Sequence, residues 1–446
     1  MLLNGYFESL YELLSASKKG EESPMFRVTV VAFEDKCNLN CGLRFAELLK
    51  KSGMFDVKFF NEPFSKTFLN LQGRNFFDFI DRGQQILKST QSDIVIWGYE
   101  ESGKIRLNFQ IADQYVIPNE LSFSLLDSLF VPLNYFSDTE NFSKSLLSVI
   151  YGIIVSAIRP VTNEQKKFKP LLLKEIVKMI STDNSAKDLS REFMPYIMNM
   201  LGKVYLSSKK DELTDSDVEI IENLFDTALK NKQYMRLPIY FGCVYNNLGQ
   251  LYDISFMQAA ESGNTDYLKA AIKNYQEAQK YLNKNYPYDY GIISYRLAIL
   301  YFEFWKHTTD LQALRDAVSH LREAEKVYSF AQFPQSWVHV EGLLGYYLTS
   351  LGMTTHSNEV MQLAINSYKQ QQQTYTQFSH PVEWAKIQEE IGNIYYLLGK
   401  QNDDDNFMYE ARNYFNSAMN VYEELKIKEK ISKIQIRLSK VRNYIG

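Results

Sequence analysis

The hydrophobic pattern of the chain changes period near residue 120. Before that point, short apolar runs alternate with helical patterns: FRVTVVAF and FDVKFF indicate strands, while CGLRFAELLKK and FFDFIDRGQQILKS indicate helices. SDIVIWG and KIRLNFQIA follow as two strands joined by a turn at 101–103. The order β-α-β-α-β-β predicts a small α/β layer with a mixed sheet that ends in an antiparallel hairpin.

The same pattern divides the chain into three segments. Residues 1–118 are predicted to hold the α/β layer, preceded by an amphipathic helix at 2–16 that either caps the layer or docks on a partner. Residues 119–186 are predicted as a helical connector, and 187–446 as a helical array. Within the connector, the apolar helix 146–158 needs cover on nearly all sides, which we expect from the α/β layer and the first helices of the array.

The array repeats with a step of 47 residues. Five residues recur in identical form 47 positions later, namely Pro334 and Pro381, Trp337 and Trp384, Gly345 and Gly392, Gly352 and Gly399, Ala364 and Ala411. A period of this size indicates stacked helical units that bury their apolar faces against one another. Five helical hairpins are predicted, followed by a capping helix at 428–443 that is rich in Lys and Arg.

Two columns of residues carry the repeat. In the first, a large apolar residue precedes a small one, and the small members are Gly202, Gly249, Ala298, Gly345 and Gly392. In the second, alanine is followed four residues later by an aromatic residue or leucine, as in Ala271/Tyr275, Ala317/Leu321, Ala364/Tyr368 and Ala411/Phe415. Small residues at these positions let two helices approach closely while the large side chains fill the space between them.

This L-G-x2-Y pattern followed by A-x3-[FY]-x2-A resembles the tetratricopeptide (TPR) repeat. The resemblance implies an α/β N-terminal domain followed by an all-α right-handed TPR-like solenoid. The usual TPR unit has 34 residues. We therefore expect much of the excess to lie between the two helices of each hairpin, at His307–Leu311, Met353–Asn358 and Gln401–Asn406.

Two further resemblances concern the domain order. The α/β block, with its strand Ile94–Gly98, is similar to small α/β domains of the Tol and flagellar-outer-membrane-protein type. The motif P-x2-W-A at Pro381–Ala385, with the late Leu398-Gly399, resembles a bacterial class of long-repeat TPR proteins in which an α/β domain with an I-W-G strand precedes the array. These resemblances imply a fold and carry no assigned chemistry.

Charge and cysteine content narrow the class of partner and the compartment. The chain has 49 Lys and Arg against 53 Asp and Glu, spread without a basic lobe, which argues against nucleic-acid binding. Three cysteines favour a reducing compartment, and Cys37 and Cys41 have no histidine nearby to complete a zinc site, so we interpret them as small buried hydrophobes. Without a basic leader or an apolar stretch of membrane length, the sequence predicts a cytoplasmic protein with no membrane span.

No pattern of catalytic or cofactor-binding residues is present. The sequence lacks a phosphate-binding glycine loop, H-E-x2-H and G-x-S-x-G. The five histidines have no metal-ligand spacing, and Asp403–Asp405 precede a helix whose positive end they favour. The sequence therefore predicts a non-enzymatic protein with no catalytic residue, cofactor or metal.

The leading functional hypothesis is a scaffold that binds a peptide or helix of another protein in the concave groove of the array. Carrying the TPR family's concave positions over by register gives Asn246, Gln250, Asp253, Tyr295, Phe302, His339, Tyr346, Thr349, Lys386, Glu389, Asn393 and Tyr396. Four of these are aromatics that either anchor the partner or pack between adjacent hairpins. The alternative is a regulator whose α/β domain binds a small molecule that the repeats relay. A homo-oligomer is compatible with either hypothesis.

One prediction follows from the groove residues. Chaperone-binding TPR proteins grip terminal carboxylates with a lysine placed four residues before an asparagine, whereas here Glu389 stands four residues before Asn393. We expect no appreciable affinity for an acidic chaperone tail peptide in isothermal titration calorimetry. Micromolar binding of that peptide would contradict the prediction.

Overall fold

The computed structural model describes residues 26–34, 40–64, 74–112, 116–117, 124, 126–137, 144–160, 162–182, 191–235, 237–259 and 265–445. The helix predicted at 2–16 lies outside these residues, as does Cys37. The chain divides into two compact units. The first contains Met1–Tyr115 and Asn119–Asp289, and the second contains Val116–Pro118 and Tyr290–Gly446. This division groups the predicted connector and the first hairpins with the α/β layer.

The first unit begins with a five-stranded mixed sheet in the order β2-β1-β3-β4-β5. Strand β1 pairs in parallel with β2 and β3, while β3–β4 and β4–β5 pair antiparallel. The predicted α/β layer with a mixed sheet and an antiparallel hairpin is confirmed. The strands are β1 (Phe26–Val31), β2 (Phe55–Phe60), β3 (Ile94–Glu100), β4 (Lys104–Ile111) and β5 (Leu129–Pro132).

Strand β5 was not predicted. It lies within the stretch interpreted as a helical connector, yet it pairs with Lys104–Leu107 of β4 and buries Leu129, Phe130 and Val131. The connector therefore extends the sheet by one strand. Four residues are too few for an alternation of apolar and polar positions to identify a strand.

Two helices and a tight turn complete the α/β layer. Helix α1 (Cys41–Lys51) and helix α2 (Arg74–Thr90) follow β1 and β2. Ser102 and Gly103 adopt positive φ angles of 54° and 76° at the hairpin between β3 and β4. On β3, Ile94 to Trp97 are all buried, as predicted for a strand covered on both faces.

Three helices connect the sheet to the hairpins of the first unit: α3 (Asn134–Ser137), α4 (Lys144–Ala157) and α5 (Asn163–Thr182). The ring of Tyr151 on α4 lies 5.4 Å from that of Phe55 on β2, and a side chain at Gly152 would collide with Val204. Helix α4 is thus covered by the sheet and by the first hairpin, as predicted. It has 14 residues, and among the described residues no helix is long and apolar enough to cross a membrane.

Helical hairpins make up the rest of both units, which gives the α/β domain followed by a helical solenoid that the sequence predicts. The first unit contains α6 (Met194–Lys209), α7 (Asp215–Lys230), a short 3-10 turn (Lys232–Tyr234), α8 (Ile239–Gln258) and α9 (Asp266–Tyr281). The second unit contains most of α10 (Pro287–Thr308), then α11 (Leu311–Val327), α12 (Pro334–Thr355), α13 (Asn358–Gln371), α14 (Pro381–Asn402), α15 (Asp405–Glu424) and α16 (Lys428–Ile445).

The 47-residue step is visible in the backbone. Helices α10, α12 and α14 each span 22 residues and begin with proline, and α16 begins 47 residues after α14. Each of the three long helices ends at a residue with positive φ, followed by a side chain that caps the next helix, as in Thr309/Asp310, His356/Ser357 and Asp403/Asp404.

The expected position of the excess residues is wrong. Only two residues separate the helices of each of these hairpins, so the additional length lies in the helices and in the connections of six and nine residues that follow α11 and α13. The polar residues near the end of α12 are helical, and their hydroxyls bond to backbone carbonyls one turn earlier. Thr354 Oγ1 donates to the Ser350 carbonyl at 2.8 Å, and Thr355 Oγ1 donates to the Leu351 carbonyl at 2.7 Å.

Small residues let an aromatic ring pack directly on the neighbouring helix, as predicted. A Cβ atom built on Gly345 would lie 2.7 Å from the ring of Tyr368, closer than real Cβ atoms approach other atoms. The same relation holds for three further pairs, and Ala298 is fully buried in the corresponding position. These pairs are Gly202/Phe225, Gly249/Tyr275 and Gly392/Phe415.

Replacing Gly345 by leucine tests this packing. Tyr368 is 6% exposed, and a side chain at position 345 would overlap its ring, so the substitution is expected to lower the free energy of unfolding by about 1–3 kcal/mol. The control Met353→Leu changes an exposed residue of the same helix and is expected to alter it by less than about 0.5 kcal/mol. Urea unfolding followed by circular dichroism compares the two, and equal stabilities would contradict the assigned contact.

Candidate functional site

The predicted groove residues divide into buried and accessible groups. On α8, Asn246, Gln250 and Asp253 are 4%, 3% and 6% exposed. They were expected to face a partner, but the structure buries all three side chains.

Two of the four predicted aromatics are also buried. Tyr295 and Phe302 on α10 are each 3% exposed, so the expectation that they line an open strip is wrong. The Tyr295 hydroxyl is hydrogen-bonded to His339 Nε2 at 2.9 Å, and the Phe302 ring stacks on Tyr347 with centroids 3.9 Å apart. Both pack between successive hairpins, which is the alternative interpretation of these aromatics. Burial lowers the pKa of His339 and favours its neutral form.

Glu389 is an internal residue as well. It is 4% exposed, and its carboxylate oxygens lie 2.8 Å from Arg437 and 3.4 Å from Lys430 of α16. The Tyr422 hydroxyl donates to Glu389 Oε2 at 3.1 Å. Glu389 therefore holds α16 against α14 and α15 and is not available to a ligand. Two basic residues of the predicted capping helix, Lys430 and Arg437, therefore serve an internal contact.

The remaining predicted residues are accessible and lie on α12 and α14 of the second unit. Tyr346 is 51% exposed and Lys386 is exposed, while His339, Thr349, Asn393 and Tyr396 are half-buried. The ring of Tyr346 lies 5.2 Å from Phe302 and 5.9 Å from Tyr347. An exposed tyrosine thus rests on two buried aromatic rings, and we call Tyr346 with its supports Phe302 and Tyr347 the Tyr346 patch.

A buried polar network in the first unit was not anticipated. Lys203 and Asp127 have side chains that are 0% and 1% exposed, and Lys203 Nζ lies 2.9 Å from Asp127 Oδ2. Lys203 also donates to Asn247 Oδ1 at 3.0 Å, and Asn247 Nδ2 donates to Asn199 Oδ1 at 2.9 Å. The network joins the approach to β5 with α6 and α8. A buried ion pair needs such additional hydrogen bonds, because both ions lose their hydration.

Burial near this network favours the protonated forms of two neighbouring acidic groups. Burial raises the pKa of the Asp289 carboxyl to about 7, and Ser124 is hydrogen-bonded to that carboxyl. Burial also raises the pKa of the Cys243 thiol, so it remains protonated and unreactive. Cys41 is buried too, as predicted for a small hydrophobe. A buried cluster of this kind fixes the packing of these helices.

The sequence contained one weak signal for the network. Lys203 lies one turn from Asn199 and from Ser207 on a largely apolar helix, and a lysine there requires a partner when buried. Its partner Asp127 is 76 residues away, so spacing alone does not reveal the pair.

Within the described ranges, no group of three or more His, Cys, Asp and Glu side chains is arranged to hold a metal ion.

No protein-family model matches this chain, and no curated protein matches it significantly in sequence. The class that the structure defines is an α/β domain followed by a helical solenoid.

Breaking the buried pair tests its structural role. Lys203→Met leaves Asp127 buried without its cation and is expected to lower the free energy of unfolding by about 3–5 kcal/mol. A matched control is Lys209→Met on the same helix, which removes an exposed ion pair with Asp217 and is expected to cost about 0–1 kcal/mol. Chemical denaturation measures both, and similar losses in the two variants would contradict the assignment.

Proposed function

We propose that this chain is a non-enzymatic, tetratricopeptide-like scaffold that binds a peptide or helix of another protein. The observation that carries the proposal is the Tyr346 patch on α12. Its central tyrosine is half exposed, while the rings beneath it are buried. The repeated 22-residue helices and the L-G and A-x3-[FY] columns support the tetratricopeptide-like assignment.

The patch has the physical properties of an anchor for a partner. Tyrosine combines a large apolar ring with a hydroxyl, and such residues dominate binding free energies at protein interfaces. Because Phe302 and Tyr347 hold the ring from below, little side-chain freedom is lost when a partner covers it. Thr349 lies one turn along the same helix, and Lys386, Asn393 and Tyr396 on α14 add polar and aromatic groups.

The proposed binding residues are thus a revised subset of the twelve predicted positions. Tyr346, Thr349, Lys386, Asn393, Tyr396 and His339 belong to it, whereas the buried six support the fold. We place the binding in a bacterial cytoplasm, on the grounds of the sparse cysteines and of the resemblance to long-repeat bacterial proteins. A second copy of the chain is an admissible partner.

The double variant Tyr346→Ala with Tyr396→Ala tests this function. Tyr346 is half exposed and Tyr396 half-buried, so the melting temperature is expected to fall by only a few degrees. Recovery of the partner is expected to fall at least tenfold, because the aromatic anchors are lost. The measurement is affinity capture from the source cell with quantitative mass spectrometry, followed by binding assays on the recovered protein.

Two controls make the result specific. Tyr409→Ala removes a tyrosine that is 42% exposed on α15 and is expected to leave recovery unchanged. Phe302→Ala removes a buried ring and is expected to lower the free energy of unfolding by about 3–5 kcal/mol. If the double variant recovers the same partners as the wild type and as Tyr409→Ala, the Tyr346 patch is not the binding site.

A further inference from the structure

A separate pocket lies between three helices of the second unit. It has a volume of about 280 Å3 and is bordered by Arg322 and Glu325 of α11, Trp337 and Glu341 of α12, and Ser367 and Gln370 of α13. It is thus slightly below the size range typical of small-molecule sites and combines one aromatic wall with a few polar groups. Its residues do not overlap with the Tyr346 patch.

Glu341 is the unusual member of this pocket. It is 2% exposed, and its Oε2 atom has no hydrogen-bond partner among the described residues. Ser367 and Glu325 are hydrogen-bonded to the same carboxyl group, which leaves Oε2 as the free acceptor. A buried carboxylate oxygen without a donor is costly, so a group that donates to it would be bound favourably.

The arrangement of charges shows what is missing. Arg322 Nη1 lies 2.8 Å from Glu325 Oε2, so Glu325 has its own cation. Among the described residues, Glu341 has no cation within ion-pair distance. Burial and the Glu325 charge raise the pKa of Glu341 to about 7, against the opposing effect of the Arg322 charge. Arg322 and Glu325 are the charged groups that border the pocket beside Glu341, since α13 contributes only uncharged lining residues.

The corresponding positions of the next repeat are not acidic. At the positions 47 residues later, Glu325 and Glu341 correspond to Gln372 and Gln388, whereas Trp337 corresponds to Trp384. Gln388 is buried like Glu341, at 5% exposed. An amide therefore satisfies the packing of this position in the neighbouring repeat. The pair of carboxyl groups is particular to this pocket and calls for a reason other than the fold.

We propose that this pocket binds a primary ammonium group on an alkyl stem, with Glu341 Oε2 as the acceptor and the Trp337 ring beside the stem. One free oxygen suits a compact ammonium donor better than the planar fork of a guanidinium, which requires two acceptors. An indole ring also attracts a cation held near its face. The ammonium group belongs either to a small free amine or to a lysine side chain of a protein.

Binding of the ammonium group is coupled to a proton. A cation beside Glu341 favours the ionised carboxylate, so the group that is half-protonated near pH 7 loses its proton when the ligand binds. Affinity is therefore expected to rise roughly tenfold between pH 6 and pH 8 and to level off above that range. The ammonium group of an alkylamine stays protonated across this window.

Isothermal titration calorimetry on the full chain tests the proposal with three probes. 1-Pentylamine represents a free amine, N-acetyl-lysine amide represents a protein side chain, and 1-pentanol is the uncharged control. We expect at least one amine to bind, with proton release that is detected as a dependence of the heat on the buffer, and we expect 1-pentanol not to bind. The amine that binds more tightly identifies the source of the ammonium group.

Two variants locate the site. Glu341→Gln is expected to weaken amine binding at least tenfold and to remove its pH dependence, whereas Glu410→Gln, an exposed glutamate on α15, leaves both unchanged. Circular dichroism verifies that both variants are folded, and proton release by the wild type provides a test that needs no variant. Failure of both amines to bind, equal binding by Glu341→Gln, or equal binding of 1-pentanol would each overturn the proposal. No partner protein is needed, so the outcome is independent of the Tyr346 patch.

Discussion

The contact on which the helical part of this chain depends is an aromatic ring packed on a residue with almost no side chain. Gly345 with Tyr368 and Gly392 with Phe415 repeat it at a fixed step. The ring takes the volume that a side chain would fill, so the helices approach closely and remain in one register. Four hairpins make this contact, and Ala298 takes the small position in a fifth, so the stability of the array is close to a sum of repeat and neighbour-interface terms. Such a framework holds surface groups in fixed positions.

Buried charges show how that framework is modified. Lys203 with Asp127, and Glu389 with Arg437 and Lys430, each place opposite charges within hydrogen-bonding or ion-pair distance. These clusters join segments far apart in sequence and favour one packing arrangement over others. Glu341 departs from this rule, because it is equally buried and has no ion pair among the described residues. A buried acid without an ion pair lowers the stability of the fold, and such destabilising groups are typical of functional sites.

Much of the fold was accessible from sequence because local patterns determine it. FDVKFF and CGLRFAELLKK coincide with β2 and α1, since their periods of 2 and 3.6 residues are unbroken. Strand β5 was not predicted, because its pairing with β4, rather than its own sequence pattern, makes it a strand. Among the groove residues, register identified the first-helix positions but could not distinguish exposed Tyr346 from buried Phe302, since what covers a residue depends on contacts distant in sequence. The ion pair of Lys203 was hidden for the same reason.

The two-residue turns after α10, α12 and α14 restrict how such a chain can change in length. Inserting one residue into a helix rotates everything beyond it by about 100°, which would move each glycine away from its ring. The turns offer no slack, because their first residue has a left-handed conformation and their second caps the next helix. Changes of length are therefore disfavoured inside these hairpins. The connections between successive hairpins carry the variation instead, with five, six and nine residues after α9, α11 and α13.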